Sequence, residues 1–474
     1  MKFVADLHLH SKYSRAVSQD MVLAKMAQWA RMKGIDVLAT GDFTHPFWFE
    51  QLKNELEDAG NGLYKLRHSS LAVSHSNGEK QMVDSEIYFL LSCEISSIYS
   101  QGGKGRRIHN LFFFPTLASV EKFNGKLLSR GVNLRSDGRP IVGISSRELA
   151  KIALDVSDKA LIIPAHAWTP WFSIFGSFSG FDSISECFGD MAPYIYGIET
   201  GLSSDPAMNW QVGDLDNRAI LSFSDAHSLE KMGREATVFE ADEVSYDSIY
   251  DAIRTSGNQV VSLSGNNKPD NPSTRIPDNL RSKIAFTIEF YPEEGKYHFT
   301  GHRDCGVSQS PLETAKNGDR CSVCGRQLTV GVMHRVEELK IRKVNFETRN
   351  VNGVRWVYGE QNRRPPYVAL VPLGEIIAEA FGTAVKTKGV IEQYKLLVSH
   401  FDSEFAILLK AQVDDLKRVA HPKVVEGISR VRSGDIKIEP GYDGKFGVVK
   451  IWKDQESAAA KAIENDEAQL NLFA

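Results

Sequence analysis

The chain of 474 residues has no long hydrophobic run; a typical stretch, residues 111–115, falls far short of the roughly 20 residues a membrane helix needs. Its opening, Met-Lys-Phe-Val-Ala-Asp, lacks the apolar core of a secretory leader. A cytoplasmic protein with no membrane partner is the expectation. Cysteine is scarce. Five residues, an odd number, argue against a disulfide framework, and three of them (Cys305, Cys321, Cys324) are clustered, which points to metal. Basic excess is also missing: 56 Lys and Arg face 60 Asp and Glu, for a net charge of -4. Any nucleic-acid surface must therefore be local. No low-complexity stretch and no internal repeat interrupts a globular composition of 42% hydrophobic and 24% charged residues. The length calls for two or three domains.

The first part alternates short apolar strands with amphipathic helices. Strands are expected at 2–6, 36–40, 88–93, 108–114, 160–164, 196–199 and 219–224. Helices are expected at 21–33, closed by Gly34 as a C-cap, and at 146–154 and 246–255. Repeated strand–helix units imply parallel strands in a barrel or a doubly wound sheet. Residues 265–278 are rich in Pro, Asn, Ser and Asp and read as a linker. The domains follow: 1–265 a strand–helix domain, 283–336 a cysteine-bearing module, 337–452 a mostly helical region and 453–474 a flexible tail. Within the third, 372–416 reads as helix and 428–452 has alternating β character.

Nearly every strand of the first part ends in a residue type that binds metal. The first runs into Asp6-Leu7-His8-Leu9-His10, and i and i+2 of an extended segment face the same way, so His8 and His10 can share one ion. Asp42 and His45, Glu94, His109, His166 and Glu199 follow at later strands, and Asp225-Ala226-His227 closes the set with a second spaced pair. A single histidine at a strand end is an ordinary core or surface residue, and His68, His75, His400 and His421 are read that way. Two spaced pairs with further His and Glu at equivalent places are a site. In β/α barrels the strand C-termini line the active site. Mixed His and carboxylate donors suit zinc, manganese or iron. Two or three such ions activate water and offset charge on a phosphate. Arg15, Arg106 and Arg107 are candidates to clamp it.

Asp6-Leu7-His8-Leu9-His10-Ser11, Gly41-Asp42-Phe43-Thr44-His45, Glu94, His109, Pro164-Ala165-His166 and Ser224-Asp225-Ala226-His227 resemble the motif set of the polymerase and histidinol phosphatase (PHP) superfamily. The resemblance implies an α/β fold, a distorted (β/α)7 barrel with up to three metals. His8, His10, Glu94 and Asp225 would hold one metal. Glu94, His109 and His166 would hold a second, and His45 and His227 would belong to a third. Asp225, Glu94 and His8 are then the residues on which turnover depends. The superfamily usually has a His or Asp soon after the first spaced pair. Here that stretch is residues 11–16, without either, and Asp20 is the nearest substitute.

Downstream, His302-x2-Cys305 precedes Cys321-x2-Cys324, the spacing of a closed tetrahedral structural zinc site, with His298 as an alternative fourth ligand. The stretch 335–367 is locally basic, with interleaved aromatics, so Arg342 and Lys343 are candidate DNA contacts. Barrel, zinc module and helical region in one chain resemble the endonuclease Q family, as do residues 164–177, Gly41-Asp42-Phe43-Thr44-His45-Pro46 and Pro440-Gly441-Tyr442-Asp443-Gly444. That resemblance implies hydrolysis on the 5′ side of deaminated bases (uracil, hypoxanthine, xanthine) or abasic sites in damaged DNA. It would use structural Zn2+ and two or three divalent ions (Zn2+, Mn2+ or Mg2+) in the barrel. Trp168 and Trp171 could line a pocket for a flipped base. The final Gln469-Leu470-Asn471-Leu472-Phe473 looks like a peptide that docks on a replication sliding clamp, through Gln469, Leu470, Leu472 and Phe473. The competing readings are a phosphomonoesterase similar to histidinol phosphatase and a non-catalytic DNA-binding module.

Overall fold

The computed structural model describes residues 1–67, 72–74, 80–82, 87–263, 282–360 and 363–452. The whole of the expected linker and of the clamp-like peptide lies outside the described residues.

The first strand, β1 (Lys2–Asp6), leads into α1 (Leu23–Lys33), which buries Met26, Ala27 and Ala30 and stops at left-handed Gly34, as the sequence predicts. There follow β2 (Val37–Ala39), α2 (Pro46–Glu55), β3 (Tyr88–Gln101), β4 (Lys104–Phe114), α3 (Leu117–Ser129), α4 (Ser146–Val156), β5 (Leu161–Pro164), β6 (Gly197–Glu199), β7 (Ala219–Leu221), β8 (Ala236–Glu240) and α5 (Tyr246–Leu263). Thr116 caps α3 by accepting from the Ser119 N–H, and Ser145 caps α4 by accepting from that of Glu148.

β1, β2 and β3 are parallel neighbours, but β4 runs antiparallel to β3 and β5 antiparallel to β4. This departs from the uniformly parallel strands that the strand–helix alternation implies. Gly102 and Gly103, with φ of 62° and 74°, close a tight turn that only an antiparallel hairpin can use. β6 and β7 pair in parallel as a separate two-stranded sheet. Hydrogen bonds join its ends to the rest. Ala167 N–H donates to the Glu199 carbonyl at 3.0 Å, and His10 N–H to that of Ala226 at 3.3 Å. One apolar cluster gathers Phe3, Ala5, Leu7, Leu111, Phe113, Ile163 and Leu221 from these strands and is covered by Tyr246, Ile249 and Ile253 of α5. The helices α1–α4 pack in a second cluster. The architecture is mixed α/β.

β9 (Lys283–Glu289), expected to open the zinc module, instead extends the main sheet beside β8, because Ile284 and Ile288 continue its buried apolar face. The cysteine-bearing turns are carried separately, on the hairpin β10 (Thr300–His302) and β11 (Val307–Gln309) and on the segment before α6 (Val332–Leu339). The next region is less helical than expected. Strands β12 (Phe346–Val351), β13 (Val354–Gly359) and β14 (Tyr367–Ala369) complete the sheet edge. Helices α7 (Leu373–Phe381), α8 (Lys388–Phe401), α9 (Glu404–Leu409), α10 (Val413–Val419) and α11 (Pro422–Ser433) follow. The β character read from residue 428 is half mistaken. Val424, Ile428 and Val431 recur at helical spacing and are buried on α11, and only β15 (Lys437–Glu439) and β16 (Val448–Lys450) are strands. Among the described residues, no helix is long and apolar enough to cross a membrane.

Candidate metal centre

The donors converge, although Glu94 and His109 lie within β3 and β4 and not at a strand end as the sequence suggests, because the hairpin extends both strands beyond them. His8 and His10 leave β1 side by side, with ring centroids 5.3 Å apart. His8 Nε2 lies 3.7 Å from Glu94 Oε2 and 3.5 Å from Asp225 Oδ1; His10 Nε2 lies 3.3 Å from both oxygens. On the other side of Glu94, Oε1 is 2.7 Å from His109 Nδ1 and 3.1 Å from His166 Nε2. Two groups, His8–His10–Glu94 and Glu94–His109–His166, therefore meet at one carboxylate, each with donor atoms within 4.8 Å of one another. A third group is His10, Asp225 and His227. His45 belongs to none of these groups; it is buried under the Tyr13 ring at 4.5 Å. Asp20 is also remote in role. It is exposed and pairs with Lys25 at 2.5 Å.

The far nitrogens of the first pair are fixed by carboxylates. Glu199 Oε1 meets His8 Nδ1 at 2.9 Å, and Asp42 Oδ1 meets His10 Nδ1 at 3.0 Å. Asp42 is itself held by the Ser11 N–H and hydroxyl at 2.7 Å and by the Ser14 hydroxyl at 2.9 Å. Residues 11–16 thus supply the support of a ligand. This carboxylate–histidine pattern sets the tautomer and turns Nε2 toward the shared centre. Asp42 (φ 49°), His166 (φ 29°) and Asp225 (φ 46°) all sit in left-handed backbone, a strain that persists only where surrounding structure enforces it. Gly41 makes the approach feasible. A Cβ there would stand 2.3 Å from the Leu9 carbonyl oxygen.

Charge in this pocket is out of balance. Burial opposes ionisation of Glu94, yet His109 and Arg139 hold its carboxyl well below the usual range. Asp225 is half-buried, with its side chain 27% exposed, and its carboxyl is likewise held down by His8 and His10. Burial opposes charge on His8 and His10, but Glu199 and Asp225 beside the first and Asp42 beside the second keep both imidazoles well above their ordinary value. His8 Nε2, His10 Nε2 and Asp225 Oδ1 are buried without a hydrogen-bond partner. Buried lone-pair donors, clustered around acidic oxygens and lacking partners, are what divalent cations satisfy. The donor set fits them.

Arg139 carries no signal in the sequence. Its Nη1 lies 3.0 Å from Glu94 Oε2, and the side chain is 27% exposed. Of the arginines named from sequence, Arg106 is buried against the Gly180 carbonyl and Glu186, so it cannot clamp a phosphate. Arg15 and Arg107 are exposed.

The second cluster also forms. His302, Cys305, Cys321 and Cys324 bring their donor atoms within 4.8 Å, with Cys324 Sγ 3.6 Å from His302 Nδ1. Hydrogen bonds with Arg326 hold the Cys324 thiol down at about 6. One His–Cys pair and one Cys–Cys pair, so placed, fit a tetrahedral zinc ion. His298 stays outside the group, packed beside Phe299, and burial pushes its imidazole down to about 4.

The expected DNA contacts fare unevenly. Trp168 is fully buried, donates to Asn209 Oδ1 at 2.7 Å and packs on Phe175, so it cannot reach a base. Trp171 is half-buried and stacks on Phe178 at 4.7 Å. Arg342 is tied to Asp216 and the Trp210 carbonyl; Lys343 is exposed. The basic stretch is largely neutralised within the protein. Arg335 pairs with Asp182, Lys340 with Glu337, Arg364 with Asp216 and Arg349 with Glu347.

Comparison with known proteins places this architecture. The family model described as PHP-associated matches residues 219–256, and that described as the MJ0043 C-terminal domain matches residues 372–435. The lesion-specific endonuclease PfuEndoQ from Pyrococcus furiosus superposes with a TM-score of 0.73 at 29% identity, covering 96% of each chain. An endonuclease Q bound to a 27-mer duplex with an abasic lesion at its active site gives the same score and identity, covering 96% of this chain and 98% of that one. Over nearly its whole length the chain is similar to endonuclease Q, and it carries a PHP-associated segment. Protein YqxK of Bacillus subtilis is 28% identical over 469 residues, covering 95% of this chain and 99% of its own. Protein MJ0043 of Methanocaldococcus jannaschii is 31% identical over 293 residues, so the chain spans only 31% of that relative.

Proposed function

We propose that the protein is a DNA repair endonuclease that hydrolyses the phosphodiester on the 5′ side of a deaminated base or an abasic site. The observation that carries this reading is the end-to-end likeness to endonuclease Q, including a form bound to lesion-bearing duplex, in a chain that keeps a convergent His and carboxylate centre. The ring of strands β1 to β7 is read as the distorted (β/α)7 barrel that presents it.

His8, His10, Glu94 and Asp225 would hold one ion, Glu94, His109 and His166 a second, and His227 contributes beside Asp225. Divalent ions bound there would supply a water that ionises near neutral pH and would offset charge on the phosphate. The chain's own part is preorganisation. Glu199 and Asp42 keep His8 and His10 in one tautomer and orientation. Glu94 stays ionised between the two groups because its neighbours outweigh its burial. The zinc cluster would hold the β10–β11 hairpin against the turns that follow it.

The test is a duplex oligonucleotide with one deoxyuridine, hypoxanthine or abasic site, incubated with manganese or magnesium beside an undamaged control. One incision 5′ to the lesion is expected, and Asp225→Asn should lower it by at least about 10³-fold, as removal of a group acting directly on the reacting centre does. Metal-loaded protein that cleaves a phosphomonoester and ignores every lesion would overturn the reading.

A further inference from the structure

The sequence points to DNA contacts in the basic stretch 335–367, where the structure finds most cations already paired. A second group of cations stands at the mouth of the metal centre. Two loops, 11–15 and 135–140, are joined there. Gly138 N–H donates to the Tyr13 carbonyl at 3.0 Å, and Thr44 Oγ1 to the Gly138 carbonyl at 3.2 Å. Asp137 Oδ1 accepts from the N–H groups of Arg15 at 3.3 Å and Arg139 at 3.1 Å. Gly138 has no space for a side chain, since a Cβ would lie 2.4 Å from Asp42 Oδ2 and from Ser14 Oγ. Ser96 N–H ties the end of the second loop to β3 through the Pro140 carbonyl at 3.0 Å. The loops are therefore fixed directly over the carboxylate that orients His10.

From this platform Arg139 reaches inward to Glu94, while Arg15 and Arg135 are exposed. The Arg135 guanidinium lies 6.0 Å from the ring of Phe47, itself 59% exposed and backed by Tyr13 and His45. Neither Arg15 nor Arg135 has an acidic side-chain partner among the described residues. Glu94 offers two oxygens to four histidines. Only Nη1 of Arg139 is engaged by Glu94, so the rest of the guanidinium fork keeps donors for a phosphate whether or not ions occupy the carboxylate.

We propose that these two loops are the phosphate-reading element of the protein: Arg139 grips the scissile phosphate, and Arg15 and Arg135 hold neighbouring phosphates of the same strand. The inference rests on the endonuclease reading above. Guanidinium suits the task because its fork matches two phosphate oxygens, and each phosphate bound releases counterions, which leaves a signature in salt dependence.

The experiment measures binding in EDTA, without turnover, of a duplex with one abasic site and of the same duplex with an uncharged methylphosphonate at the 5′ phosphate of the lesion. The uncharged linkage should weaken wild type about tenfold and Arg139→Ala less than about twofold, because a charge-assisted hydrogen bond already abolished in the protein leaves nothing for the altered DNA to remove. Arg139→Lys, which retains the cation beside Glu94, should fall between them, and, assayed without EDTA, should bind as much metal as wild type. Arg15→Ala with Arg135→Ala should reduce the slope of log K against log salt by nearly two. An Arg139→Ala protein as sensitive to the methylphosphonate as wild type, or a double variant with the parental slope, overturns the assignment. If wild type still nicks 5′ to the lesion in that case, the proposed function survives. A wild type that neither binds nor nicks lesion duplex overturns both.

Discussion

At the scale of single residues, the clustered His and carboxylate donors are legible because two pairs repeat the spacing of an extended chain and others follow a strand, although Glu94 and His109 lie within β3 and β4. What supports them is not. Asp42 is visible as a ligand type, and only the fold shows it turned onto His10 rather than toward the shared centre. Arg139 is invisible locally; a loop brings it to Glu94 across 45 positions of sequence. Trp168 misleads for the opposite reason, since an aromatic run near a strand end serves the core as readily as a pocket. The role of Asp42 is testable apart from catalysis. Asp42→Asn keeps the shape but offers His10 a different partner, and outer carboxylates of this kind typically contribute about 10–100-fold to metal affinity. Titration against a fluorescent chelator should show a loss within about that range, with the circular dichroism spectrum preserved. A second residue sets a pH dependence away from the ligands. Glu289 is buried beside the hydroxyls of Thr200 and Ser222, both at 3.1 Å, and burial pushes its carboxyl up to about 8 from 4.5. The folded protein holds a proton there that the unfolded chain releases, so this contribution is complete below pH 4.5 and is lost as pH rises through about 8. Between those limits stability should fall by about 1.4 kcal/mol per pH unit from this group. Glu289→Gln mimics the protonated form and should flatten the alkaline side of a denaturation series run from about pH 5 to 9. An unchanged slope would show that Glu289 is already ionised in the folded state.

At the scale of elements, helices with strong apolar periodicity and clear ends read well from the sequence. Strand direction does not, because only the turn at Gly102-Gly103 distinguishes a hairpin from a crossover. The C-terminal segment shows a further limit. Its β-branched residues suit a strand locally, while their three- and four-residue spacing commits them to α11 once a buried face exists. The cysteine turns are the best-read small element, since ligand spacing is a direct record of tetrahedral geometry. Their local order should depend on metal. Zinc chelation, or Cys321→Ser, should open the segment around residues 300–330 to limited proteolysis while the core of the main sheet stays protected. Equal protection of that segment with and without zinc would make the cluster dispensable for folding.

At the scale of the whole molecule, the question is what binds the C-terminal helices to the metal-bearing part. The sheet does some of this, because β14 pairs with β9. A buried ion pair adds a second link. Lys33 at the end of α1 meets Glu404 of α9 at 2.8 Å, and both side chains are 3% exposed. Glu404 also accepts from the Tyr394 hydroxyl at 2.8 Å and from the Leu373 N–H at 2.9 Å, so one carboxylate links α1, α7, α8 and α9. None of this is legible in sequence, for Lys33 and Glu404 stand at opposite ends of the chain and Lys33 reads as an ordinary surface lysine. The energetics are asymmetric. Forming such a pair costs desolvation of both ions, so its net stabilisation is small, but removing one partner strands the other in a dry interior. Glu404→Ala should therefore destabilise the protein by about 3–5 kcal/mol. Glu404→Gln, which keeps the neutral hydrogen bonds, should cost less. The double replacement Lys33→Met with Glu404→Leu removes both charges and should recover much of the loss, in urea denaturation of full-length protein. If the double variant is as unstable as Glu404→Ala, the carboxylate matters through Leu373 and Tyr394 and not through Lys33, and the coupling of the two regions must then rest on packing alone.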